Sequence, residues 1–292
     1  METAQSEVGA ISRMLLKHPR DAFLDASSIE QQWRTLNFTA PPDFTRAIDE
    51  YDRFIESLTR SGVELHFLPQ SDATGLDSIY VRDASVVCDR GAILCRMGKP
   101  ARDGEPAAQE ATLRALGYPI LGAIAPPGRL EGGDVVWLDR RTIAVGRGYR
   151  TNDEGIAQLR VLLGESIDEL MTVPLPHWRG PADVFHLMSI ISPVDSDLAV
   201  VFSPLMPVAF RESLLARGTV LVDVPDTEFD SMGTNVLATA PRRCLMLTGN
   251  PITRERLEDS GADVIEYQGT DISIKGGGGP TCLTRPLSRI EC

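Results

Sequence analysis

The chain has 292 residues, 42% of them hydrophobic and 24% charged, which is ordinary for a folded protein whose core needs no metal or disulfide staple. Lys and Arg number 29 against 41 Asp and Glu, and the net charge of −12 excludes a general nucleic-acid binder and disfavours an anionic membrane as partner. Such a field attracts small cations.

Residues 1–30 show no basic start, apolar stretch and small-residue cleavage site, and no later run is apolar enough to span a bilayer, so a cytoplasmic location is expected. The segment from Trp33 to Phe44 combines aromatics with the Pro41-Pro42 turn ahead of the first long helix. It reads either as a lid or as a surface loop packed by its own aromatics. Then comes an internal repeat: Leu58-TRSGVELHFLP, Leu113-RALGYPILGAI, Leu214-LARGTVLVDVP and Leu257-EDSGADVIEYQ each end a helical pattern at a glycine and resume as an apolar strand. The glycines are Gly62, Gly117, Gly218 and Gly261, and Leu163-GESIDELMTVP is a degenerate fifth copy. Glycine at that place takes the left-handed conformation that stops a helix. A unit of about fifty residues cannot bury its apolar face alone, so five should close on one another as a ring or propeller. The expectation is an α/β fold in one domain over residues 1–292. The cysteines, Cys88, Cys95, Cys244, Cys282 and Cys292, are odd in number and form no CxxC pair, so neither a disulfide framework nor structural zinc is expected.

Four stretches are polar where strand patterning calls for apolar residues. In Asp77-SIYVRDASVV, alternation predicts a strand with Asp77 and Asp83 at its two ends. In Leu130-EGGDVVWLD, Glu131 and Asp134 bracket two glycines at the mouth of a strand, where the backbone can approach a ligand closely. Phe185-HLMSI puts His186 at the start of an apolar stretch, and Gly276-GGGPTCLTRPL delivers Cys282 after a glycine run. Singly, each has an ordinary structural account: a turn acid, a buried histidine, a packed cysteine, a linker. Together they place a sulfur nucleophile and a proton carrier among carboxylates, which suits a cationic electrophile. A guanidinium is planar, permanently charged and matched bidentately by carboxylates. Its carbon is a poor electrophile, and a thiolate is the strongest side-chain nucleophile available for it.

In their order, DSIYVRD, LEGGDV, GYRTNDEG, FHLMS and GGGGPTCLTRP resemble the guanidino-modifying branch of the pentein superfamily, nearest to dimethylarginine dimethylaminohydrolases, with an arginine deiminase-like cysteine motif. The resemblance covers nearly the whole chain and implies a five-bladed propeller of ββαβ units. It also implies Cys282 as nucleophile and His186 as general acid and base, with Asp83 and Glu131 on the guanidinium nitrogens. Asp77 and Asp134 would add substrate contacts, while Arg102 in Gly98-KPARDGE and Arg150 in Gly148-YRTNDEG would clasp an α-carboxylate. Arg102 has a competing account as an exposed loop charge.

The implied reaction is hydrolysis of an N-methylated arginine to citrulline and an amine, with no metal and no cofactor. The partner is a small cationic guanidino substrate, and the sequence leaves room for a homodimer. Arginine deimination or amidino transfer on the same scaffold is the alternative, and a noncatalytic binding module a further one. Met188 stands where deiminases and amidinotransferases carry an acid, and no inserted helical domain fits between Asp83 and Glu131; both favour the methylarginine hydrolases. Arg82 departs from them, since it replaces their usual Glu. The acids around Cys282 should keep its thiol neutral until a cation arrives.

Overall fold

The computed structural model describes residues 1–183 and 185–291, so Cys292 lies outside the described residues. Near the N-terminus, β1 (Glu2–Thr3) and β2 (Ala10–Leu16) precede the helix Phe44–Thr59, which returns the chain as β3 (Glu64–Phe67) parallel to β2. The helix forms because Ala47, Tyr51, Phe54 and Leu58 share one buried face, and because the Asp43 carboxylate accepts from the Arg46 N–H at its start. It stops at Gly62, whose φ is +77°.

The same sentence of structure is written four more times. β4 (Ser85–Cys88) pairs antiparallel with β5 (Gly91–Leu94), the helix Glu105–Ala115 follows, and β6 (Ile120–Ala123) comes back parallel to β5. β7 (Val135–Asp139), β8 (Thr142–Arg147), the helix Asp153–Leu163 and β9 (Glu169–Pro174) repeat it. So do β10 (Ile191–Asp195), β11 (Leu198–Val201), the helix Val208–Ala216 and β12 (Val220–Asp223). The fourth set is β13 (Val236–Ala240), β14 (Arg243–Leu247), the helix Pro251–Asp259 and β15 (Asp263–Tyr267). Finally β16 (Arg285–Ile290) inserts between β1 and β2, so the last strand completes the first sheet. Gly117, Gly218 and Gly261 all have positive φ, as does Gly164 of the degenerate copy, so the five helix–glycine–strand junctions read from the sequence stand in the structure.

The units share cores. Leu15 and Leu287 pack with Val81, Val87 and Leu94; Val86, Cys88 and Ile93 with Val135, Ile143 and Leu159; Val136 and Ala144 with the β10–β11 strands and Val236; and Leu237, Leu245 and Tyr267 with Met14, Phe54 and Leu58. Cys88 and Cys95 are buried packing residues, as expected. Strands such as β5 and β11 are buried along their whole length, which is why they read as unbroken apolar runs. Among the described residues no helix is long and apolar enough to cross a membrane.

Candidate active site

Every chemistry-bearing segment occupies the same place in its unit, the turn that leads into the first strand. Asp77 and Asp83 precede β4, Glu131 and Asp134 precede β7, His186 precedes β10, and Cys282 precedes β16. The strand expected from Asp77 onwards does not form: Leu76–Ile79 is a single 3-10 turn and β4 starts only at Ser85. Alternation implies a strand only when one face is wet, and here Ile79, Tyr80, Val81 and Arg82 are all buried. The Asp83 carboxylate accepts from Arg102 Nη1 at 2.6 Å and from the Gly133 N–H at 3.0 Å. Asp77 is covered by Lys99, whose Nζ lies 2.6 Å from its Oδ2 and 2.6 Å from the Leu36 carbonyl.

Glu131 and His186 form the tightest pair, with Oε2 2.6 Å from Nε2. His186 Nδ1 faces Asp83 Oδ1 at 3.9 Å. A Cβ on Gly133 would stand 2.6 Å from His186 Nδ1 and 2.8 Å from Asp83 Oδ1, so the second glycine of the pair is what lets acid and imidazole approach. Burial works against the imidazolium, but Asp83, Asp134 and Glu131 outweigh it and push its pKa up to about 9. For Glu131 burial opposes ionisation, yet the hydrogen bond and charge of His186, with Arg150 and Arg102, hold its carboxyl well below the usual range. Burial drives Asp134 up to about 6 despite a hydrogen bond from the Thr151 hydroxyl at 2.6 Å and one from the Leu187 N–H at 2.9 Å. One ligand atom each from Asp83, Glu131 and His186 lie within 4.8 Å of one another, a spacing that would suit a metal. Arginines pair with both carboxylates, however, and an imidazole protonated on both nitrogens has no lone pair to donate.

Cys282 is half-buried, and its thiol is pushed up by burial and by the charge of Asp83. The glycine run before it is a packing requirement: a Cβ on Gly276 or Gly278 would collide with the Tyr80 ring, and one on Gly279 would come 2.5 Å from Asn235 Oδ1. Tyr80 is fixed in turn by its hydroxyl donating to the Ile272 carbonyl at 3.1 Å. Asn235, in the turn before β13, is the residue the sequence reading missed. Its Oδ1 accepts from the Thr281 N–H at 3.0 Å and hydroxyl at 2.9 Å, and its Nδ2 lies 3.5 Å from Cys282 Sγ. A backbone N–H can only donate, so the amide is oriented with its NH2 toward the sulfur. The signal was the repeat itself, because Asn235 stands where the other units carry their functional residues.

Cys282 and His186 line two cavities together. One of about 20 Å³, little more than the space of a single water, is bounded by Asp77, Asp83, Lys99, Arg102, Arg150 and the Gly276–Gly278 backbone. The other, about 350 Å³, is walled by Trp178, Phe185, Met188, Phe229 and Met232. Leu36 borders the first and Thr39 the second, so the Trp33–Phe44 segment contributes one residue to the wall of each.

One expectation changes. Arg102 is no exposed loop charge but 4% exposed, with its guanidinium on Asp83, on both oxygens of Glu105 and on the Tyr80 carbonyl. It is committed to holding Asp83, which leaves little for a substrate carboxylate. Glu131 and Asp134, both fully buried, are not among the residues lining either cavity: Glu131 pairs with His186 Nε2, and Asp134 accepts from the Leu187 N–H beside it. Arg150 does reach the smaller cavity, with Nη1 at 3.4 Å from each Glu131 oxygen.

A family model described as N,N dimethylarginine dimethylhydrolase, eukaryotic, matches residues 27–289. The N(G),N(G)-dimethylarginine dimethylaminohydrolase of Streptomyces coelicolor is 32% identical over 254 residues, covering 85% of this chain and 88% of that one. The enzyme of the same name from Pseudomonas aeruginosa is 26% identical over 260 residues, 86% of this chain and 92% of that one. Among solved structures, the P. aeruginosa enzyme complexed with citrulline superposes with a TM-score of 0.76 at 23% identity, over 94% of this chain and 98% of that one. An amidinotransferase of the saxitoxin pathway from Microseira wollei reaches 0.81 at 17% identity, over 98% and 97%.

Proposed function

The chain belongs to the N,N-dimethylarginine dimethylhydrolase family of the pentein superfamily, and on that premise we propose that it hydrolyses an N-methylated arginine to citrulline and methylamine or dimethylamine. The observation that carries the proposal is that Cys282 and His186 border the same cavity as Asp83, while Glu131 and Asp134 hold His186 protonated from behind. That arrangement supplies a nucleophile, an acid and a counter-charge for a cation.

The cycle runs in two halves. When the cationic substrate arrives the Cys282 thiol gives its proton to solvent, because His186 already carries one; Sγ then forms a bond to the guanidinium carbon, and the C–N bond to the methylated nitrogen breaks. The imidazolium of His186 gives its proton to that departing amine, leaving a thiouronium on the sulfur. Water then takes the amine's place and gives a proton to the neutral imidazole. Its oxygen bonds to the carbon, the C–S bond breaks, and the oxygen's remaining proton passes to the departing sulfur, which releases the neutral ureido product and restores the thiol. Asp83 and Asp77 face the cation through both halves, and Arg150 supplies the charge for an α-carboxylate.

The five units, each sharing a core with the next and the last with the first, support a five-bladed ring over residues 1–292 as one domain. The free cysteines at 88, 95, 244 and 282 suit a reducing cytoplasm.

The test is mass spectrometry of protein quenched during turnover with dimethylarginine, monomethylarginine and arginine, alongside product analysis with and without an amine acceptor. An adduct on Cys282 with citrulline and dimethylamine as products is expected, and Cys282→Ser should abolish both. Release of ammonia from arginine with no turnover of methylated arginines would replace this reading with deimination, and amidino transfer to the acceptor would replace hydrolysis.

A further inference from the structure

Around Arg82, which lines neither cavity, lies a group of charges that the reaction does not use. Arg82, Arg285 and Arg289 are 1%, 5% and 1% exposed, and Glu7 beside them is 8% exposed. Arg82 Nη2 stands 2.5 Å from Glu7 Oε1. Arg289 Nη1 donates to the Gly9 carbonyl at 2.6 Å and the Ala238 carbonyl at 2.8 Å, and Arg285 Nη2 donates to the Arg82 carbonyl. Carbonyls solvate a cation without neutralising it. The Nε atoms of Arg82, Arg285 and Arg289 and the Nη2 of Arg289 are shut from solvent and have no hydrogen-bond partner among the described residues.

Three guanidinium groups are thus met by one carboxylate in contact. Other charges do not close the gap: Glu291 acts on Arg289 from the chain end, and Asp83 acts on Arg285 but is already paired with Arg102. Burial and the neighbouring Arg82 push the guanidinium of Arg285 down to about 9, and burial pushes Arg289 down to about 10. Both remain cationic at neutral pH, because arginine does not surrender its proton as a buried lysine does. An uncompensated buried ion costs several kcal/mol, so a fold that keeps two of them gains by taking in a counter-ion.

We propose that Arg82, Arg285 and Arg289 form an internal binding site for a small inorganic anion, a halide of chloride size, held by the four unpaired nitrogens of their guanidinium groups. The donors are enclosed, which selects an ion that can shed its water over a bulky oxyanion. The site sits directly behind the nucleophile, since the Arg82 N–H donates to the Cys282 carbonyl at 3.2 Å. Occupancy therefore steadies the strand and turn that carry Cys282.

The experiment has a direct and a functional arm. Crystals grown with bromide in place of chloride should show an anomalous peak among the three arginines; a map with only water there overturns the proposal. Thermal unfolding of the full chain at constant ionic strength should give a saturable rise in midpoint with chloride or bromide relative to gluconate. Arg289→Met should lose that rise, and Glu7→Gln, which increases the excess charge, should reach saturation at lower halide. Equal midpoints in all three salts, or a rise with phosphate in the absence of a bromide peak, would sink the halide assignment.

Discussion

Asn235 is an uncharged residue with a decisive position. Its amide is locked by Thr281, so its NH2 is a prepaid donor for sulfur anion, and a hydrogen bond to a charged partner is worth roughly 1.5–3 kcal/mol. Asn235→Ala should therefore lower kcat/KM on the order of ten- to a hundredfold and move the Cys282 thiol further up, read from the pH dependence of iodoacetamide alkylation. An unchanged alkylation profile would make the residue structural only. The sequence displays acids, histidines and cysteines as candidates, whereas an asparagine carries no such label. Cys282 and His186 stand out in the sequence because the chain has only five cysteines and four histidines, and the fold brings both to one cavity with Asp83. The exposed-loop account of Arg102 fails because its carboxylate partners, Asp83 and Glu105, are visible only in three dimensions, although Glu105 lies three residues on.

The His186–Glu131 pair also makes stability depend on pH. The imidazole pKa is raised from 6.5 to about 9, so the stabilisation it provides is complete below 6.5 and is lost as pH rises through about 9. The carboxyl of Glu131 is depressed, so its share is present above 4.5 and disappears only in strong acid. Denaturant midpoints measured between pH 6.5 and 9 should fall for the wild type and stay nearly level for His186→Gln. Parallel curves would mean that the pair is uncoupled from folding.

At the scale of elements, glycines fall into two kinds that a substitution can separate. Gly117 is a left-handed helix stop with φ +83° and nothing near an added Cβ, so Gly117→Ala pays only the backbone penalty, about 1–2 kcal/mol, and leaves turnover intact. Gly278 is pressed against Tyr80, so Gly278→Ala must displace the ring or the nucleophile turn. It should cost about 1–3 kcal/mol and most of the activity as well. Denaturant midpoints and turnover of the two variants, compared side by side, check the distinction. The first kind was readable because a left-handed residue is a local chemical demand. The turn at Leu76–Ile79 was not, because the alternation of Ile79 and Val81 with Tyr80 and Arg82 imitates a half-exposed strand, although all four side chains are buried.

For the whole molecule, the repeat and the sharing of cores between neighbours were readable from length and junction glycines. The acidic composition pointed to a cation without saying where it goes. The position of β16 was hidden, because nothing in Arg285–Ile290 tells which of the other strands will flank it. In the folded chain the Met1 amine donates to the Glu291 carbonyl at 2.6 Å, and the Glu291 N–H donates to the Met1 carbonyl at 2.9 Å. Residues 1 and 291, tied by two backbone hydrogen bonds, leave the order of the five units free to begin elsewhere. A circular permutant, with a short tether linking the old ends and new ones opened at the exposed Ser196–Asp197 hairpin, should refold with native turnover, its last strand now an internal one.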